Sequence, residues 1–233
     1  MLTHVFIIAP LDLLLGSLVH ETAVIPARLI MEHCMLVAIL HANVGTEVGA
    51  FILQEVVLKF NSEFMAIENT DDDDTAVAVN NLIGLYKSQR CALIECHFVA
   101  VIISYLYSWK IVQCSLVFDI LNNLAERFKP KDIQLIILCL TNCGMSLRKD
   151  DPVALKSFIL NVQSVANKKK TEDSRVQFML EVLTGIKNNN VNKIPNYDPS
   201  HFEHLRKNFK VCIREGKFAT ELNISYKDLI QVD

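Results

Sequence analysis

Apolar side chains recur every three to four positions along almost the entire chain. Representative runs are Val48, Ile52, Val56 and Phe60, then Ile133, Ile136, Ile137 and Leu140, then Val176, Met179, Leu180 and Leu183. This spacing, with a period near 3.6, predicts α-helices, because strands would alternate with a period of two. Each predicted helix offers one apolar face, which a neighbouring helix has to cover.

The residues that start and stop helices agree with this pattern. Three prolines occupy positions typical of a first helical residue, and three glycines occupy positions typical of a helix C-terminus. These residues are Pro130, Pro152 and Pro199, and Gly45, Gly144 and Gly216. Asp151 and Asp198 directly precede two of the prolines, so both are predicted N-caps. Connections as short as Met145 to Asp151 predict antiparallel hairpins.

These elements predict an all-α protein, built as a HEAT-like or ARM-type solenoid of stacked antiparallel helical hairpins. No strict repeat period is visible, so we expect the solenoid to be irregular. The chain has 233 residues, 51% of them hydrophobic, with only 7 Gly and 6 Pro, and it therefore fits one large globular domain. Its seven cysteines lack the spacing of a disulfide framework, which favours a reducing compartment.

Two apolar stretches resemble targeting or membrane segments. Phe6 to Val19 is interrupted by Pro10 and Asp12, so it is predicted to form a buried helix rather than a signal sequence. Cys91 to Tyr107 approaches the length of a membrane span, but Glu95 and His97 would be costly in hydrocarbon. A core helix is favoured there, and a membrane-associated helical protein is the alternative.

The sequence carries no catalytic motif. A phosphate loop, a nucleophile elbow, an HExxH zinc motif and a dinucleotide fingerprint are all missing, so we predict no enzymatic activity and no cofactor. Clustered carboxylates from Asp71 to Asp74 could attract a divalent cation, but a solvated loop is favoured because the other calcium-loop residues are absent. His201 and His204 could ligate zinc together with Cys212, although surface histidines are the favoured interpretation.

Arg175 to Phe178 reads RVQF and matches the RVxF pattern by which peptides dock onto protein phosphatase 1. Such docking needs an extended segment that adds to a sheet edge. Val176 and Phe178 instead open a strongly periodic helix, so packing of both side chains in the core is favoured.

A predicted helix from Pro199 to Glu215 is amphipathic and basic. Its apolar face is Phe202, Leu205, Phe209 and Cys212, and its basic residues are Arg206, Lys207, Lys210 and Arg214. The chain after Gly144 is basic although the net charge of the whole chain is −3. The basic residues are therefore candidates for contact with RNA phosphates, and an ordinary solvated face is the alternative.

Several stretches resemble one family of proteins. They are RLIMEHCMLVAILHANVGTEVGAFILQEVV, LYSWKIVQCSLVFDIL, LIILCLTNCGMSLRKDDPVALKSFI, RVQFMLEVLTGIKNNNVNKIPNYDP and HLRK. The most specific signatures are LRKDDP (Leu147 to Pro152), FMLE (Phe178 to Glu181) and KIPNYDP (Lys193 to Pro199). Over residues 27–230 the chain resembles the middle domain of initiation factor 4G, in the form carried by nucleolar middle-domain-containing proteins.

The resemblance implies a stack of helical hairpins that acts as a scaffold. It implies a DEAD-box ATPase of the initiation factor 4A type as partner, and a nucleolar role in small-subunit assembly and 18S rRNA maturation. The partners would include RNA or a pre-ribosomal particle, and protein phosphatase 1 is a weaker implication. A splicing or translation scaffold of the same fold is the alternative.

Some features depart from the family pattern. A long charged N-terminal extension and a second helical domain of the MA3 type are missing, so we expect a fragment, an incomplete gene model or a shortened paralogue. Residues 83–99 are additional to the family pattern, and an unremoved intron or an exon duplication would explain them. The expected organisation is an N-terminal helix in 1–26, the middle-type domain in 27–215 and a tail in 216–233.

Two polar segments, Leu147 to Asp151 and Lys187 to Lys193, each follow a predicted helix. If helix directions alternate, both segments emerge on one rim of the stack. Asp151 has an evident structural role as an N-cap, whereas the other charges are free to pair with a partner. The alternative is a tight, self-paired turn. The predicted ATPase-binding residues are Arg148, Lys149, Asp150, Lys187, Asn189 and Lys193.

Overall fold

The computed structural model describes residues 29–68, 96–169, 173–213 and 220–231, and most of these residues are helical. The helices are α1 (Ile30–Asn43), α2 (Thr46–Glu68), α3 (96–108), α4 (Cys114–Arg127), α5 (Pro130–Asp150), α6 (Pro152–Lys169), α7 (Ser174–Lys187), α8 (Ser200–Cys212) and α9 (Tyr226–Ile230). A short 3₁₀ helix, Val191–Lys193, follows α7. The predicted all-α class is confirmed, since these residues contain no strand longer than a single bridge between Val112 and Leu222.

Helices α4 to α7 form two layers. α4 packs beside α5 and α6, and α5 packs most extensively beside α7. Arg148 at the end of α5 contacts Asn189 just beyond α7, so the two helices end at the same place. α5 and α7 therefore run in the same direction, and α6 runs in the opposite direction between them. This is the hairpin stacking that the apolar periodicity predicts.

The amino-terminal helices continue the stack. α1 and α2 pack as a hairpin, and α1 ends at Asn43, two residues before Gly45, which agrees with the helix stop predicted there. Just beyond α3, the indole Nε1 of Trp109 donates a hydrogen bond to the Met31 carbonyl of α1, at 3.2 Å. One apolar core includes buried residues from α1 through α9.

The predicted helix stop at Gly144 is wrong. α5 continues through Gly144 to Asp150. This glycine lies where α5 and α7 approach each other closely. A Cβ atom built on it would lie 2.5 Å from Cδ1 of Ile186 in α7. The glycine therefore serves packing between two helices rather than termination of one. As a result, only Asp151 separates α5 from α6.

The predicted helix starts are confirmed at two of the three prolines. Pro130 is the first residue of α5, and Pro152 is the first residue of α6. Oδ1 of Asp151 accepts hydrogen bonds from the backbone N–H groups of Val153 (3.1 Å) and Ala154 (2.8 Å), as predicted for its N-cap. The third start is wrong by one residue, because Pro199 precedes α8 as its cap.

The segment after α8 packs back onto the stack. The Leu222 N–H donates to the Ile111 carbonyl (2.8 Å), and the Tyr226 hydroxyl donates to Oδ1 of Asn61 in α2 (3.1 Å). Nε2 of the buried His41 in α1 lies 3.0 Å from the Thr220 carbonyl. Residues 220–230 are therefore part of the same core, a contact that the sequence did not indicate.

Several predictions concern residues outside the described ranges: the N-terminal helix in 1–26, the carboxylates Asp71 to Asp74, most of the additional segment 83–99, and Gly216. Residues 96–99 of that segment open α3, where Cys96 and Val99 are buried. Among the described helices, none combines the length and hydrophobicity that a membrane span requires.

Candidate functional site

The last turn of α5 forms part of the rim predicted from the sequence. Residues 147–150 are helical rather than a loop, and Leu147 is fully buried beneath them. Nη1 of Arg148 donates to Oδ1 of Asn189 at 3.1 Å, and its Nε donates to the Lys187 carbonyl at 3.3 Å. The guanidinium of Arg148 therefore joins the ends of α5 and α7.

The chain after α7 holds a defined shape next to Arg148. The N–H of Asn190 donates to the Gly185 carbonyl (2.8 Å), and the N–H of Asn189 donates to the Ile186 carbonyl (3.1 Å). Asn189 has a φ of 57°, in the left-handed region that asparagine adopts readily, so these bonds form a C-terminal cap of α7. We name the exposed surface formed by Arg148, Lys187, Asn189 and Lys193 the rim.

Asp150 points away from the rim. Its Oδ2 accepts a hydrogen bond from the Tyr107 hydroxyl at 2.6 Å and forms an ion pair with Nζ of Lys110. Partial burial acts to raise the pKa of the Asp150 carboxyl, but the bonds from Lys110 and Tyr107 outweigh it and leave the pKa below its usual value. The expectation that Asp151 alone has a structural role is therefore wrong, because Asp150 ties α5 to the end of α3.

Lys110 occupies an unusual backbone position at the end of α3. Its φ is 64°, in the left-handed region that glycine favours. The N–H of Lys110 donates to the Tyr107 carbonyl (2.9 Å) and that of Ile111 donates to the Leu106 carbonyl (3.0 Å), as in a Schellman cap. The cap brings the lysine ammonium against the Asp150 carboxylate.

A groove of about 440 Å³ lies between this turn, the end of α5 and one side of α8. We name it the groove; its lining residues are Tyr107, Ser108, Trp109, Lys110, Ser146, Lys149, Asp150, Phe202, Arg206, Phe209, Lys210 and Ile213. It brings together Lys149 and Asp150 from the predicted ATPase set with Arg206 and Lys210 from the predicted RNA set. Lys207 is exposed outside the groove. Arg214 falls outside the described residues.

Helix α8 is attached through its aromatic side chains. The Phe202 and Phe209 ring centroids lie 4.7 and 5.2 Å from that of Trp109. Leu205 is buried, as predicted, but Cys212 is exposed, so its placement on the apolar face is wrong. Nε2 of His201 lies 2.9 Å from Oε1 of Glu32 in α1.

The comparisons with known proteins agree with this architecture. A model of the MIF4G domain matches residues 15–190. The chain belongs to the MIF4G domain family. The match includes α5, α7 and the rim up to Asn189, and it ends before α8.

Proteins similar to this MIF4G domain align with most of the chain. Nucleolar MIF4G domain-containing protein 1 of Homo sapiens is 38% identical over 225 residues, which cover 94% of this chain and 23% of that protein. Its Drosophila melanogaster homolog is 32% identical, over 88% of this chain and 22% of the relative. Suppressor of glycerol defect protein 1 of Saccharomyces cerevisiae is 24% identical, over 88% of this chain and 21% of that protein. The chain spans less than a quarter of the length of each of these relatives.

The RVQF motif lies at the start of α7 in this MIF4G domain. Val176 is buried, as predicted, whereas Phe178 is 43% exposed, so the prediction that both side chains pack in the core is wrong. Asp173 caps the helix by accepting the N–H of Arg175 at 2.8 Å. The motif is therefore helical, with its two apolar residues in different environments.

The zinc alternative gains no support from the geometry. Within the part of the MIF4G domain that the structure describes, no three His, Cys, Asp or Glu side chains cluster closely enough to hold a metal ion. The thiols of Cys34, Cys96, Cys139 and Cys143 are buried, and burial raises the pKa of each. They behave as core residues.

Sequence reasoning missed the side chains that close the groove from α3. Tyr107, Trp109 and Lys110 belong to the stretch LYSWK, which carries part of the family resemblance. Its one informative signal is a lone tryptophan, directly before a lysine and two residues after a tyrosine, at the end of an apolar helix. That pattern is compatible with a helix end covered by another element, but it does not identify α8 as that element.

Proposed function

We propose that this MIF4G domain is a non-enzymatic scaffold that holds a DEAD-box ATPase of the initiation factor 4A type. The proposed setting is small-subunit ribosome assembly and 18S rRNA maturation in the nucleolus. The nucleolar setting is supported by the names of the human and fly relatives, and the ATPase by the family resemblance. Because the chain matches only part of each relative, the activity of the longer proteins is transferred as a proposal.

One observation carries the assignment of the binding surface: the Arg148 guanidinium joins the ends of α5 and α7. The bond fixes two segments, distant in sequence, as one exposed surface with the cations Arg148, Lys187 and Lys193. Such a surface suits an acidic patch on a partner, and charge complementarity accelerates and orients association. A rigid stack that contacts both ATPase lobes would favour the relative orientation it fits best.

The two sides of the α5 terminus allow a sharp test. Arg148 and Lys187 belong to the rim, whereas the neighbouring Lys149 lines the groove. We expect the Arg148→Glu, Lys187→Glu double variant to lose co-purification of the ATPase, while Lys149→Glu keeps it. Far-UV circular dichroism and the melting temperature of both proteins should match those of the wild type.

The outcomes separate the alternatives. If the double variant retains the ATPase at wild-type affinity, the rim is not the binding surface. If Lys149→Glu alone removes the ATPase, the partner occupies the groove side and the assignment is overturned. A loss accompanied by a lower melting temperature is resolved with Arg148→Lys, which retains the positive charge at the rim.

RNA is a second candidate ligand, favoured by the exposed cations of α8. Arg206, Lys207 and Lys210 lie on one helix and are all solvent-accessible. A contact with RNA phosphates predicts that each alanine substitution weakens binding to a similar degree for all sequences, and lowers the dependence of affinity on salt. Equal affinity and an equal salt slope for the triple variant would contradict this contact.

A further inference from the structure

The groove between α3, α5 and α8 has an excess of positive charge. It is lined by four cations and by one carboxylate, that of Asp150. Asp150 is bonded to Lys110 and Tyr107, and as a single carboxylate it leaves three of the four cations in the lining without a carboxylate of their own. Those cations are Lys149, Arg206 and Lys210.

The remaining cations have little to hold them within the protein. Arg206 lies 3.7 Å from Glu203 in an exposed pair one helical turn apart, a contact that contributes little stability. Among the described residues, neither Lys149 nor Lys210 has an ion-pair partner within 4.0 Å. The three side chains are therefore available to anionic groups of a ligand.

The floor of the groove is apolar. Trp109 with Phe202 and Phe209 forms an aromatic cluster, and Ile213 extends it at the end of α8. A concave apolar floor surrounded by cations matches a ligand with one large apolar side chain flanked by carboxylates. Interfaces of this kind obtain their affinity from the central apolar anchor and their selectivity from the charged border.

A second pocket of about 140 Å³ adjoins the groove and shares Ser108, Ser146 and Phe202 with it. Its lining includes the side-chain amides of Asn142 and Asn196. Amide and hydroxyl groups can pair with the backbone of an extended peptide. The shared residues make the two pockets neighbours on one surface.

We propose that this groove binds an acidic peptide segment of a partner protein, with a large apolar side chain on the aromatic floor and carboxylates paired with Lys149, Arg206 and Lys210. The groove is distinct from the rim, because Arg148 turns toward α7 and Lys149 toward α8. The inference therefore does not rest on ATPase binding. It gives the domain a second partner site beside the first.

The chemistry of the groove favours a peptide over RNA. Single-stranded RNA binds by stacking its bases on open aromatic faces. Trp109 is only 3% exposed and is contacted by both Phe202 and Phe209, so it offers no open face.

A random dodecapeptide phage-display library tests the proposal on the full 233-residue chain. We expect the selected peptides to be enriched in Asp and Glu on either side of one large apolar residue. A synthetic copy of the most enriched peptide is then measured by fluorescence anisotropy. Lys210→Glu should weaken its binding by about tenfold, equivalent to about 1.4 kcal/mol. Lys207→Glu, on the same helix but outside the groove, should leave its affinity within about twofold, or roughly 0.4 kcal/mol.

Further measurements distinguish an acidic peptide from RNA as the ligand of the groove. Selected peptides without acidic enrichment, or equal losses from Lys207→Glu and Lys210→Glu, would overturn the peptide assignment. A single-stranded oligouridine that displaces the peptide and depends equally on both lysines would make the surface an RNA site. Arg148→Glu should leave peptide binding unchanged, so a failure of the rim and a failure of the groove are distinguishable.

Discussion

The rim and the groove lie on opposite sides of the same helical turn, and they are supported differently. Arg148 on the rim side contacts α7, the helix against which α5 packs most extensively. Lys149 and Asp150 face a groove whose far wall, α8, has Leu205 as its one buried residue. The rim is therefore supported directly by the core of the stack, whereas the groove depends on a helix attached at the edge of the stack. A rigid surface and an adaptable one can thus lie within two residues of each other.

The largest expected effect is on the free energy of unfolding, when side chains packed beneath the two surfaces are removed. Ile186→Ala removes a fully buried side chain that contacts Gly144 beneath the rim, and should lower the free energy of unfolding by about 2 to 5 kcal/mol. Leu205→Ala in α8 should cost roughly 1 to 2 kcal/mol, because an edge helix can settle into the space left. Urea denaturation followed by circular dichroism measures both values.

Val211→Ala is the matched control for α8, because Val211 is 85% exposed and its removal should change stability by less than about 0.5 kcal/mol. Equal losses from Ile186→Ala and Leu205→Ala would contradict the contrast, since α8 would then be as firmly held as α7. In that case the groove would be a rigid site, like the rim.

An intermediate effect on stability is expected at Asp150 in the groove, and this effect depends on pH. The pKa of this carboxyl is lower in the folded protein than in the unfolded chain, so its stabilising contribution is present above about pH 4 and is lost as the pH falls through the folded pKa. Asp150→Asn should cost about 1 to 2 kcal/mol at neutral pH, since it removes charge-assisted bonds to Lys110 and Tyr107.

Unfolding measured from pH 7 down to about pH 2 tests this sign, because that range covers the ordinary aspartate pKa. The difference between wild type and Asp150→Asn should shrink as the pH falls below about 4. Tyr107→Phe removes one of the two bonds and should give a smaller loss with the same direction of pH dependence. A difference that stays constant across the whole range would show that the carboxylate charge does not stabilise this turn.

The sequence was sufficient for the fold because its signals are local. Helical periodicity and the Asp151-Pro152 start are set by neighbouring residues, and alternating directions place the ends of α5 and α7 together. Gly144 misled because the same residue type serves helix termination and close packing, and only the position of Ile186 distinguishes them. Lys110 gave no signal, because a non-glycine residue with a φ of 64° is maintained by the surrounding structure.

The candidate sites were less predictable, because they depend on which side of a helix end each charge faces. Arg148, Lys149 and Asp150 are consecutive, and in sequence they form one charged group. The structure divides them between α7 and the groove, a distinction that depends on the rotation of α5 against its neighbours. Phe178 and Cys212 fit the apolar period but are exposed, because none of the described elements covers that side of either helix.

The smallest expected effect is at Phe178 of α7, the helix that carries half of the rim. Because the side chain is 43% exposed, Phe178→Ala should lower the free energy of unfolding by less than about 1 kcal/mol, far below the range for core phenylalanines. Val176→Ala, in the same motif but buried, should cost roughly 1 to 3 kcal/mol and serves as the control. Denaturant unfolding of the two variants compares them directly.

The same variants test the RVQF motif. Docking onto protein phosphatase 1 requires an extended segment, so the first turn of α7 would have to open and the bond between Asp173 and the Arg175 N–H would break. We therefore expect the folded chain to retain little phosphatase in a pulldown, with no difference between wild type and Phe178→Ala. Asp173→Ala should weaken the helix start by about 1 kcal/mol and increase retention if opening limits docking. Strong retention by the wild type that disappears in Phe178→Ala, with unfolding unchanged, would establish the exposed phenylalanine as a docking residue.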